Sequence, residues 1–284
     1  MTTPLISVLM PVYNTDEIYL REAIESVLNQ TYTNFEFIIC DDKSTNNALS
    51  VIQSYHDKRI RLIQNEKNSG ISVTRNKLCK MAKGKYIALA DSDDISLPTR
   101  FEKQIAFLES HADISLVGAW YERFPQKFIP QLPEKVSLVD MLKWCAVAQP
   151  VVMYRKKDFE DKNLIYDTNL SCAVDYDMWC RALMSGLKMA NIPEVLLKYR
   201  WHEKNISHTK QDLQIKTAKN IQQKIAQFLT QDKALQEKLT QLANNVPSQK
   251  IYLFGKIPFL KIKSKNELQK WYLFGGLPIL KIKK

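Results

Sequence analysis

Apolar and polar positions alternate in blocks along the first ninety residues. Short apolar runs predict buried strands, and amphipathic stretches between them predict helices. The predicted elements are a strand at Leu5–Val12, a helix at Asp16–Asn29, a strand at Phe35–Cys40, a helix near Ala48–Tyr55, a strand at Arg59–Gln64, a helix at Ser72–Ala82 closed by Gly84 as a C′ glycine, and a strand at Lys85–Ala90.

This order of strands and helices indicates an α/β fold with a mostly parallel sheet and helices on both faces. Ligands of such sheets bind at the carboxyl ends of the strands. We therefore expect the polar residues that follow these strands to face one crevice: Tyr13 and Asn14, Asp41 and Asp42, and the cluster from Asp91 to Asp94.

The second half of the chain is less regular and ends in a repeat. Its predicted elements are strands at Ile114–Trp120, Val151–Tyr154 and Glu194–Arg200, a helix at Tyr176–Ser185 and a helical arm from Lys210 to Asn244. Beyond the arm, KIYLFGKIPFLKIK at Lys250–Lys263 and KWYLFGGLPILKIK at Lys270–Lys283 match at ten of fourteen positions. Two copies are too few for a solenoid, so we interpret them as a basic-aromatic tail.

Charge is concentrated in that tail. The chain carries a net charge of +11, and the segment 241–284 has nine lysines against a single acid, Glu267. A basic tail on a near-neutral body indicates an anionic membrane surface as partner and argues against nucleic acid. No apolar run reaches the length of a transmembrane helix, and no signal peptide is predicted. The five cysteines are scattered, which favours a reduced, cytoplasmic chain.

The acidic cluster Asp91-Ser92-Asp93-Asp94 directly follows a predicted strand. Two carboxylates separated by one residue can share a hydrated divalent ion with the phosphates of a substrate, and such oxygen ligands suit Mn²⁺ or Mg²⁺. Taken alone, such a cluster is more often a solvated acidic turn.

Several further segments change that interpretation, because together they resemble the family 2 glycosyltransferases, which have the GT-A fold. The similar blocks, in chain order, are SVLMPVYN at Ser7–Asn14, VLNQTYTNFEFIICDDKST at Val27–Thr45, SGISVTRN at Ser69–Asn76, KGKYIALADSDD at Lys83–Asp94, SCAVDYDMWCRAL at Ser171–Leu183 and KYRWHEKNIS at Lys198–Ser207.

The resemblance implies roles for individual residues. Pro11 and Tyr13 would border a uracil, and Asp42 would accept a hydrogen bond from that base. Arg75 and Asp91 would lie near the donor. Asp93 would be a direct metal ligand, with His202 near the metal or the pyrophosphate, and Asp175 would be the catalytic base.

Two positions depart from the family pattern. Val174 stands where the family usually has Glu before the catalytic Asp, and Asp177 lies only two residues further on as an alternative base. We favour Asp175 because the following Tyr-Asp-x-Trp fixes the register. Lys43 stands where the family usually has Gly, which affects the local turn.

The resemblance implies an inverting hexosyl- or N-acetylhexosaminyltransferase that moves sugar from a UDP-sugar to a hydroxyl of a glycan or lipid-linked glycan. It also implies synthesis of a bacterial surface glycan such as lipooligosaccharide or capsule. The expected organisation is a GT-A domain at 1–207, a helical arm at 208–248 and the tail at 249–284, peripheral on the inner face of the cytoplasmic membrane.

Two alternatives remain open at this point. One is an enzyme similar to the sugar-phosphate nucleotidyltransferases, although these usually have a glycine-rich loop after the first strand. The other is a non-catalytic membrane-associated binding protein. The tail could also fold back on its own domain or form a dimer contact.

Overall fold

The computed structural model describes residues 5–203, 205 and 209–231 and, as backbone alone, four strands between residues 250 and 283. The first half contains seven regular elements in the predicted order. They are β1 (Ile6–Val12), α1 (Glu17–Leu28), β2 (Phe35–Asp41), α2 (Ala48–Gln53), β3 (Ile60–Gln64), α3 (Ile71–Met81) and β4 (Tyr86–Leu89).

The first helix illustrates how the sequence sets the local structure. Asp16 is its N-cap, and the side chain accepts a hydrogen bond from the Ile18 amide at 3.0 Å. Glu17 places a negative charge in the first turn, where the exposed amides of the helix favour it. The helix then buries one apolar stripe against the sheet: Leu20, Ala23, Ile24 and Val27.

The second half adds short elements that the sequence pattern did not predict. Its elements are β5 (Ile95–Ser96), α4 (Arg100–Ser110), β6 (Leu116–Phe124), β7 (Lys135–Val136), α5 (Leu138–Met141), a 3₁₀ turn (Gln149–Val151), β8 (Met153–Arg155), α6 (Lys156–Asp161), α7 (Val174–Met184) and β9 (Met189–Arg200). The last strand begins five residues before the predicted start at Glu194, because Met189–Asn191 pair with the buried start of β6.

One sheet organises these elements. The strand order is β3-β2-β1-β4-β8-β6-β9-β5, with β7 also paired to β9. The pairs β3–β2, β2–β1, β1–β4 and β6–β9 are parallel, whereas β8 runs antiparallel to both β4 and β6. Most paired residues are therefore parallel, as predicted. The chain leaves β3 and returns on the other side of β1 as β4, so the carboxyl ends of β1 and β4 flank a topological switch point.

Gly84 has a different function from the predicted one. The helix α3 ends at Met81 with Ala82 as its C-cap in an extended conformation, so Gly84 is not the C′ residue. A Cβ atom at Gly84 would lie 2.5 Å from the Ser7 backbone nitrogen and 2.8 Å from the Leu5 carbonyl oxygen. The glycine is required because the chain passes β1 at close range immediately before β4 begins.

The C-terminal part contains a helix and a second sheet. Helix α8 spans Gln211–Thr230, within the predicted arm, and the continuation of that arm through 232–249 lies outside the described residues. The four strands are β10 (Lys250–Leu253), β11 (Ile257–Lys265), β12 (Leu268–Leu273) and β13 (Leu277–Lys283), in one antiparallel sheet. The chain divides into two compact units, Met1–Ala218 and Lys219–Lys284.

Each copy of the repeat forms one hairpin of this second sheet. Tyr252 pairs with Pro258 in the first hairpin, and Tyr272 pairs with Pro278 in the second, with the same register shift next to each tyrosine. In the part of the chain whose placement is described, no helix has the length and apolar character needed to cross a bilayer.

Candidate active site

The acidic loop after β4 is tied to neighbouring elements through its first two residues. Asp91 Oδ1 accepts a hydrogen bond from Arg75 Nη2 at 2.8 Å, which forms an ion pair with a side chain of α3. The hydroxyl oxygens of Ser92 and Thr15 lie 2.6 Å apart, so the loop also contacts the segment that follows β1. Both ties are at the switch point where the topology predicts a ligand site.

The end of β9 holds the second half of this loop. His202 Nε2 lies 3.0 Å from Asp93 Oδ2. Arg200 donates from its backbone N–H to Asp94 Oδ1 at 2.8 Å and from Nε to the Asp93 carbonyl oxygen at 2.9 Å, and it also forms an ion pair with Glu22. The predicted metal-site residues Asp93 and His202 are therefore neighbours, as their assigned roles require.

Burial and mutual repulsion alter the acidity of the loop. Burial raises the pKa of Asp93, the charge of Asp91 raises it further, and His202 acts in the opposite direction. Burial also raises the pKa of Asp94 well above its ordinary value, with added contributions from Asp93 and Asp91. Within the described residues, Asp94 Oδ2 is buried without a hydrogen-bond partner. A cation at this loop would relieve the repulsion between the carboxylates.

A buried arginine lies behind the acidic loop and was not predicted from the sequence. Arg100, in the first turn of α4, has no exposed surface. Its Nη2 donates to the carbonyl oxygens of Leu89 at 2.8 Å and Val152 at 3.2 Å, and Nη1 donates to Ser96 Oγ at 2.9 Å. Burial lowers the pKa of Arg100 to about 9, against the opposing effect of Asp94 and Asp91, so it stays cationic at neutral pH.

Asp175 lies in the first turn of α7. The preceding Ala173 has a left-handed conformation, with φ 51°, which turns the chain into the helix. Burial raises the pKa of the Asp175 carboxyl, whereas Arg75 and the backbone N–H groups of Tyr176 and Asp175 lower it, and Asp91 raises it. Asp175 is thus within electrostatic reach of both members of the Arg75–Asp91 pair.

Asp177, the alternative base, forms an ion pair within its own helix. Its Oδ2 accepts from Arg181 Nε at 2.7 Å, in an ion pair between residues four apart on α7, and its side chain is 3% exposed. This carboxylate stabilises the helix through its ion pair, whereas Asp175 interacts electrostatically with Arg75 and Asp91. The assignment of Asp175 as the base stays a prediction.

Arg75 is the centre of this group, and two of its partners were missed by the sequence analysis. With the Gln149 amide assigned so that its oxygen faces these donors, that oxygen lies 3.0 Å from Nη1 and 3.1 Å from Nε, over the face of the guanidinium. The Tyr166 hydroxyl also donates to this oxygen at 3.1 Å, and the Tyr166 ring centroid lies 5.6 Å from Arg75 Cζ. Neither residue lies in a predicted element close to α3, so no sequence pattern indicated them.

Asp42, at the end of β2, is already engaged by the protein. Its Oδ1 accepts from Asn65 Nδ2 at 2.7 Å and from the Ser69 amide at 2.8 Å, and its Oδ2 accepts from the Gly70 amide at 2.9 Å. An ionised carboxylate offers about four lone-pair positions, so one remains for a ligand. The role of Asp42 toward a nucleotide base stays a prediction. The contacts that the structure shows fix the loop before α3.

The ends of β1 and β2 form the rim next to Asp42. Pro11 is half-buried within β1, and Tyr13 follows the strand and is 48% exposed. Asn14 Oδ1 accepts from the Thr45 amide at 2.7 Å, which joins the two strand ends. Lys43, at the position where glycine was expected, has φ 62° in the left-handed region that glycine tolerates best.

The residues at the acidic loop fit a divalent ion that is shared with a substrate. No cluster of three or more His, Cys, Asp or Glu side chains able to hold a metal occurs within the described ranges. Asp93 and His202 supply two adjacent donors, and Mg²⁺ or Mn²⁺ is commonly held by one or two carboxylates together with substrate phosphates. A site completed by the substrate is consistent with both observations.

Comparison with known proteins identifies the family. Residues 7–182 match the model of glycosyl transferase family 2. The chain belongs to this family. A glycosyltransferase of Methanocaldococcus jannaschii is 40% identical over 210 residues, which cover 70% of this chain and 72% of that protein. The Escherichia coli enzyme WfaP, a UDP-Glc:alpha-D-GlcNAc-diphosphoundecaprenol beta-1,3-glucosyltransferase, is 34% identical over 209 residues, covering 72% of this chain and 81% of WfaP.

Solved structures agree on the fold. Residues 1–349 of TarS from S. aureus, in complex with UDP, superpose with a TM-score of 0.65 at 21% identity, over 79% of this chain and 65% of that one. The protein is therefore a family 2 glycosyltransferase with the GT-A fold, as predicted. This membership favours glycosyl transfer over both the nucleotidyltransferase and the non-catalytic binding protein.

Proposed function

We propose that this glycosyltransferase inverts the anomeric centre as it transfers a sugar from a UDP-sugar to a hydroxyl of a lipid-linked glycan. The observation that carries the proposal is the placement of Arg75, which forms an ion pair with Asp91 on the acidic loop and interacts electrostatically with Asp175. A donor-side carboxylate cluster and a separate carboxylate base are the two components that such a reaction requires.

In this proposal, Asp175 removes the proton from the acceptor hydroxyl as its oxygen attacks the anomeric carbon. Attack occurs on the face opposite the diphosphate, so one base suffices, unlike glycoside hydrolysis, which uses two carboxylates. The bond from the anomeric carbon to the diphosphate oxygen breaks, and UDP leaves with the electron pair. A positioned base of this kind contributes roughly 10²–10⁴-fold to the rate.

Asp93 and His202 would hold a divalent ion, Mn²⁺ or Mg²⁺, and Asp91 would face the ribose or a metal-bound phosphate. When bound, the ion supplies positive charge that stabilises the departing diphosphate. Arg200 keeps the loop in place through its contacts with Asp93 and Asp94, so the two metal donors stay together.

The rim residues and the relatives support the proposed nucleotide and acceptor class. The exposed Tyr13 ring and half-buried Pro11 offer a surface for a uracil, next to the remaining acceptor position of Asp42. The relative WfaP, by its name, takes UDP-Glc and a diphosphoundecaprenol-linked GlcNAc. We extend this chemistry to a bacterial surface polysaccharide, with lipooligosaccharide or capsule as candidates.

For the organisation of the chain, we propose a catalytic domain at 1–207, a helical arm at 208–248 and a tail at 249–284 that rests on the anionic inner face of the cytoplasmic membrane. Lysine positions pair across the strands of the tail sheet, 250 with 261, 263 with 270 and 270 with 281. Directly paired positions share one face of a sheet, and each lysine near an anionic bilayer adds about 1 kcal/mol.

A donor screen tests the proposed function. The purified protein is incubated with UDP-glucose, UDP-galactose, UDP-N-acetylglucosamine or UDP-N-acetylgalactosamine, with Mn²⁺, with Mg²⁺ or with a chelator. We expect metal-dependent release of UDP from one of these donors, and more of it when a lipid-linked glycan is added. Absence of UDP release from all four donors in both metals would overturn the proposed donor class.

A further inference from the structure

Arg75 is a buried cation with few charged partners. It is 7% exposed, and its only ion pair among the described residues is the 2.8 Å contact with Asp91. Burial lowers the pKa of Arg75, but Asp91, Tyr166 and Asp175 together outweigh that effect and the pKa is raised overall. A guanidinium has five N–H donors, and the ion pair with Asp91 uses one of its nitrogens. Neutral neighbours must therefore help to hold the guanidinium in place.

Gln149 and Tyr166 contact the guanidinium without neutralising its charge. The Gln149 amide oxygen lies 3.0, 3.1 and 3.2 Å from Nη1, Nε and Nη2 of Arg75, and it also accepts from the Tyr166 hydroxyl at 3.1 Å. Nearly equal distances to all three nitrogens place this oxygen over the face of the planar guanidinium. An amide nitrogen in that place would face only donors, so the amide is assigned with its oxygen toward Arg75. The amide dipole thus stabilises the cation from one face, and the Tyr166 ring centroid lies 5.6 Å from Arg75 Cζ.

The fold fixes both partners firmly. Gln149 begins the 3₁₀ turn before β8 and is buried. Tyr166 is locked to the residue after the arginine, because Asn76 Nδ2 donates to the Tyr166 carbonyl oxygen at 2.8 Å and the Tyr166 amide donates to Asn76 Oδ1 at 2.8 Å. The helix that carries Arg75 and the segment that carries Tyr166 are therefore held in register.

The charge held in this way interacts electrostatically with the proposed base. Among the described residues, the ionisable groups that interact with Asp175 include Arg75 and Asp91, together with Cys145, Tyr166 and Cys180. Arg75 is the cation of that set. It therefore opposes the effects of burial and of Asp91, both of which favour the protonated form of Asp175.

We propose that Gln149 and Tyr166 are positioning residues that hold the Arg75 guanidinium at Asp91 during transfer. Held there, the charge of Arg75 favours the ionised form of Asp175. The inference deepens the proposed function and rests on the assignment of Asp175 as base. Neither residue touches the reacting atoms, and both act through Arg75.

The test is the pH profile of kcat for UDP release from the most active UDP-sugar of the screen. The base must be ionised, so kcat rises with pH through the pKa of Asp175. In Gln149→Met the guanidinium loses the amide oxygen over its face, and with it part of what holds Arg75 in place. The pKa of Asp175 should rise, so the acid limb of the profile, where kcat increases with pH, should move to higher pH by about one unit. The value of kcat should fall on the order of 10-fold.

Two further variants keep the test decisive. Tyr166→Phe removes one hydroxyl and retains the ring, and we expect a smaller shift in the same direction. Tyr154→Phe is the matched control, because it removes another buried hydroxyl, bonded to Cys79 at 3.3 Å and not to Arg75, and its acid limb should stay at the wild-type position. Thermal unfolding reports whether each variant folds, and Tyr166→Phe decides if Gln149→Met does not.

Asp175→Asn, measured in parallel, separates the two levels of the hypothesis. If Asp175→Asn keeps the wild-type rate and acid limb, the proposed base is wrong. If Asp175→Asn loses the acid limb while folded Gln149→Met and Tyr166→Phe keep it where the wild type has it, the positioning role alone is overturned.

Discussion

The imidazole of His202 lies 3.0 Å from the carboxylate of Asp93, although 109 residues separate them in the chain. The contact joins the loop after β4 to the end of β9, two strands that are separated by β8 and β6 in the strand order of the sheet. Arg200, two residues before the histidine, stabilises the same junction through the backbone of Asp93 and the side chain of Asp94. The donor side of the site is therefore assembled only when both halves of the domain are folded.

The first prediction concerns this junction. Asp93→Ala should abolish metal-dependent UDP release and leave the fold intact, because the side chain is partly exposed beyond a strand end rather than in the apolar core. Loss of charge stabilisation at a departing group commonly costs on the order of 10²–10³-fold in rate. Asp113→Ala, at an exposed ion pair with Lys188, is the control. A variant that retains more than about a tenth of the wild-type rate would exclude the metal assignment.

The second prediction separates two carboxylates of α7. Asp175→Asn should lower transfer by roughly 10²-fold or more. Because burial raises the pKa of Asp175, its charged form is disfavoured in the fold, and Asp175→Asn should unfold at the same or a higher temperature. Asp177→Asn weakens the 2.7 Å pair with Arg181 and should lower the free energy of unfolding by about 1–3 kcal/mol.

Transfer kinetics and thermal unfolding of the two variants, measured side by side, check this assignment. The two substitutions are matched in chemistry and lie in the same helical turn, so general damage to α7 would affect both alike. A large loss of rate in Asp177→Asn with near wild-type transfer in Asp175→Asn would reverse the roles.

The extent to which the sequence predicted this site depends on the kind of contact. Asp91 and Asp93 directly follow a predicted strand, so the local pattern indicated them, whereas Asp175 was indicated by the resemblance to the family. Gln149 and Tyr166 contact Arg75 from segments without a periodic apolar pattern, at separations that pattern analysis does not reach. Arg100 lies on an amphipathic helix, where an arginine is normally solvated, and only the fold reveals that it is buried.

The departures of the fold from the sequence have similar causes. Gly84 resembles a helix-ending glycine in the sequence, but its requirement arises from contact with β1, some eighty residues away in the chain. The start of β9 was missed because its first residues follow α7 after a short turn, and their apolar character continues that of the helix. In each case the deciding contact is non-local.

The third prediction uses the strain at Lys43. The left-handed conformation that Lys43 adopts destabilises a residue with a Cβ by about 1–2 kcal/mol in the folded state, and glycine by less. Glycine also stabilises the unfolded chain by roughly 0.4–1 kcal/mol, because it has greater conformational freedom there, and this offsets part of the gain. We therefore expect Lys43→Gly to raise the free energy of unfolding by up to about 1 kcal/mol.

Chemical denaturation of Lys43→Gly and Lys43→Ala measures this effect. Alanine removes the lysine side chain but keeps the Cβ atom, so it should leave the stability near the wild-type value. An equal gain from both substitutions would assign the effect to the side chain rather than to the backbone, and a loss in Lys43→Gly would contradict the strain.

The last prediction concerns the tail. The apolar stretch Ile251–Leu260 is too short to span a bilayer and contains Lys256, whereas aromatic residues beside lysines suit the headgroup layer of a membrane. We expect the full chain to co-sediment with vesicles of anionic phospholipid and to be released as salt is raised, because screening weakens the attraction.

Charge-removing substitutions in the full chain test whether the tail lysines carry this binding. Changing four of them to glutamine should weaken the affinity for anionic vesicles by at least about 10²-fold, at about 1 kcal/mol each: Lys261, Lys263, Lys281 and Lys283. The matched control changes four exposed lysines of the catalytic unit to glutamine, with the same loss of net charge: Lys58, Lys127, Lys157 and Lys162. Binding that falls equally in both variants would reflect net charge alone and would exclude the tail as the anchor.

A chain ending at Asn245 tests the same anchor by truncation. It should release UDP but remain in the supernatant, and its sedimentation with the vesicles would exclude the tail as the anchor.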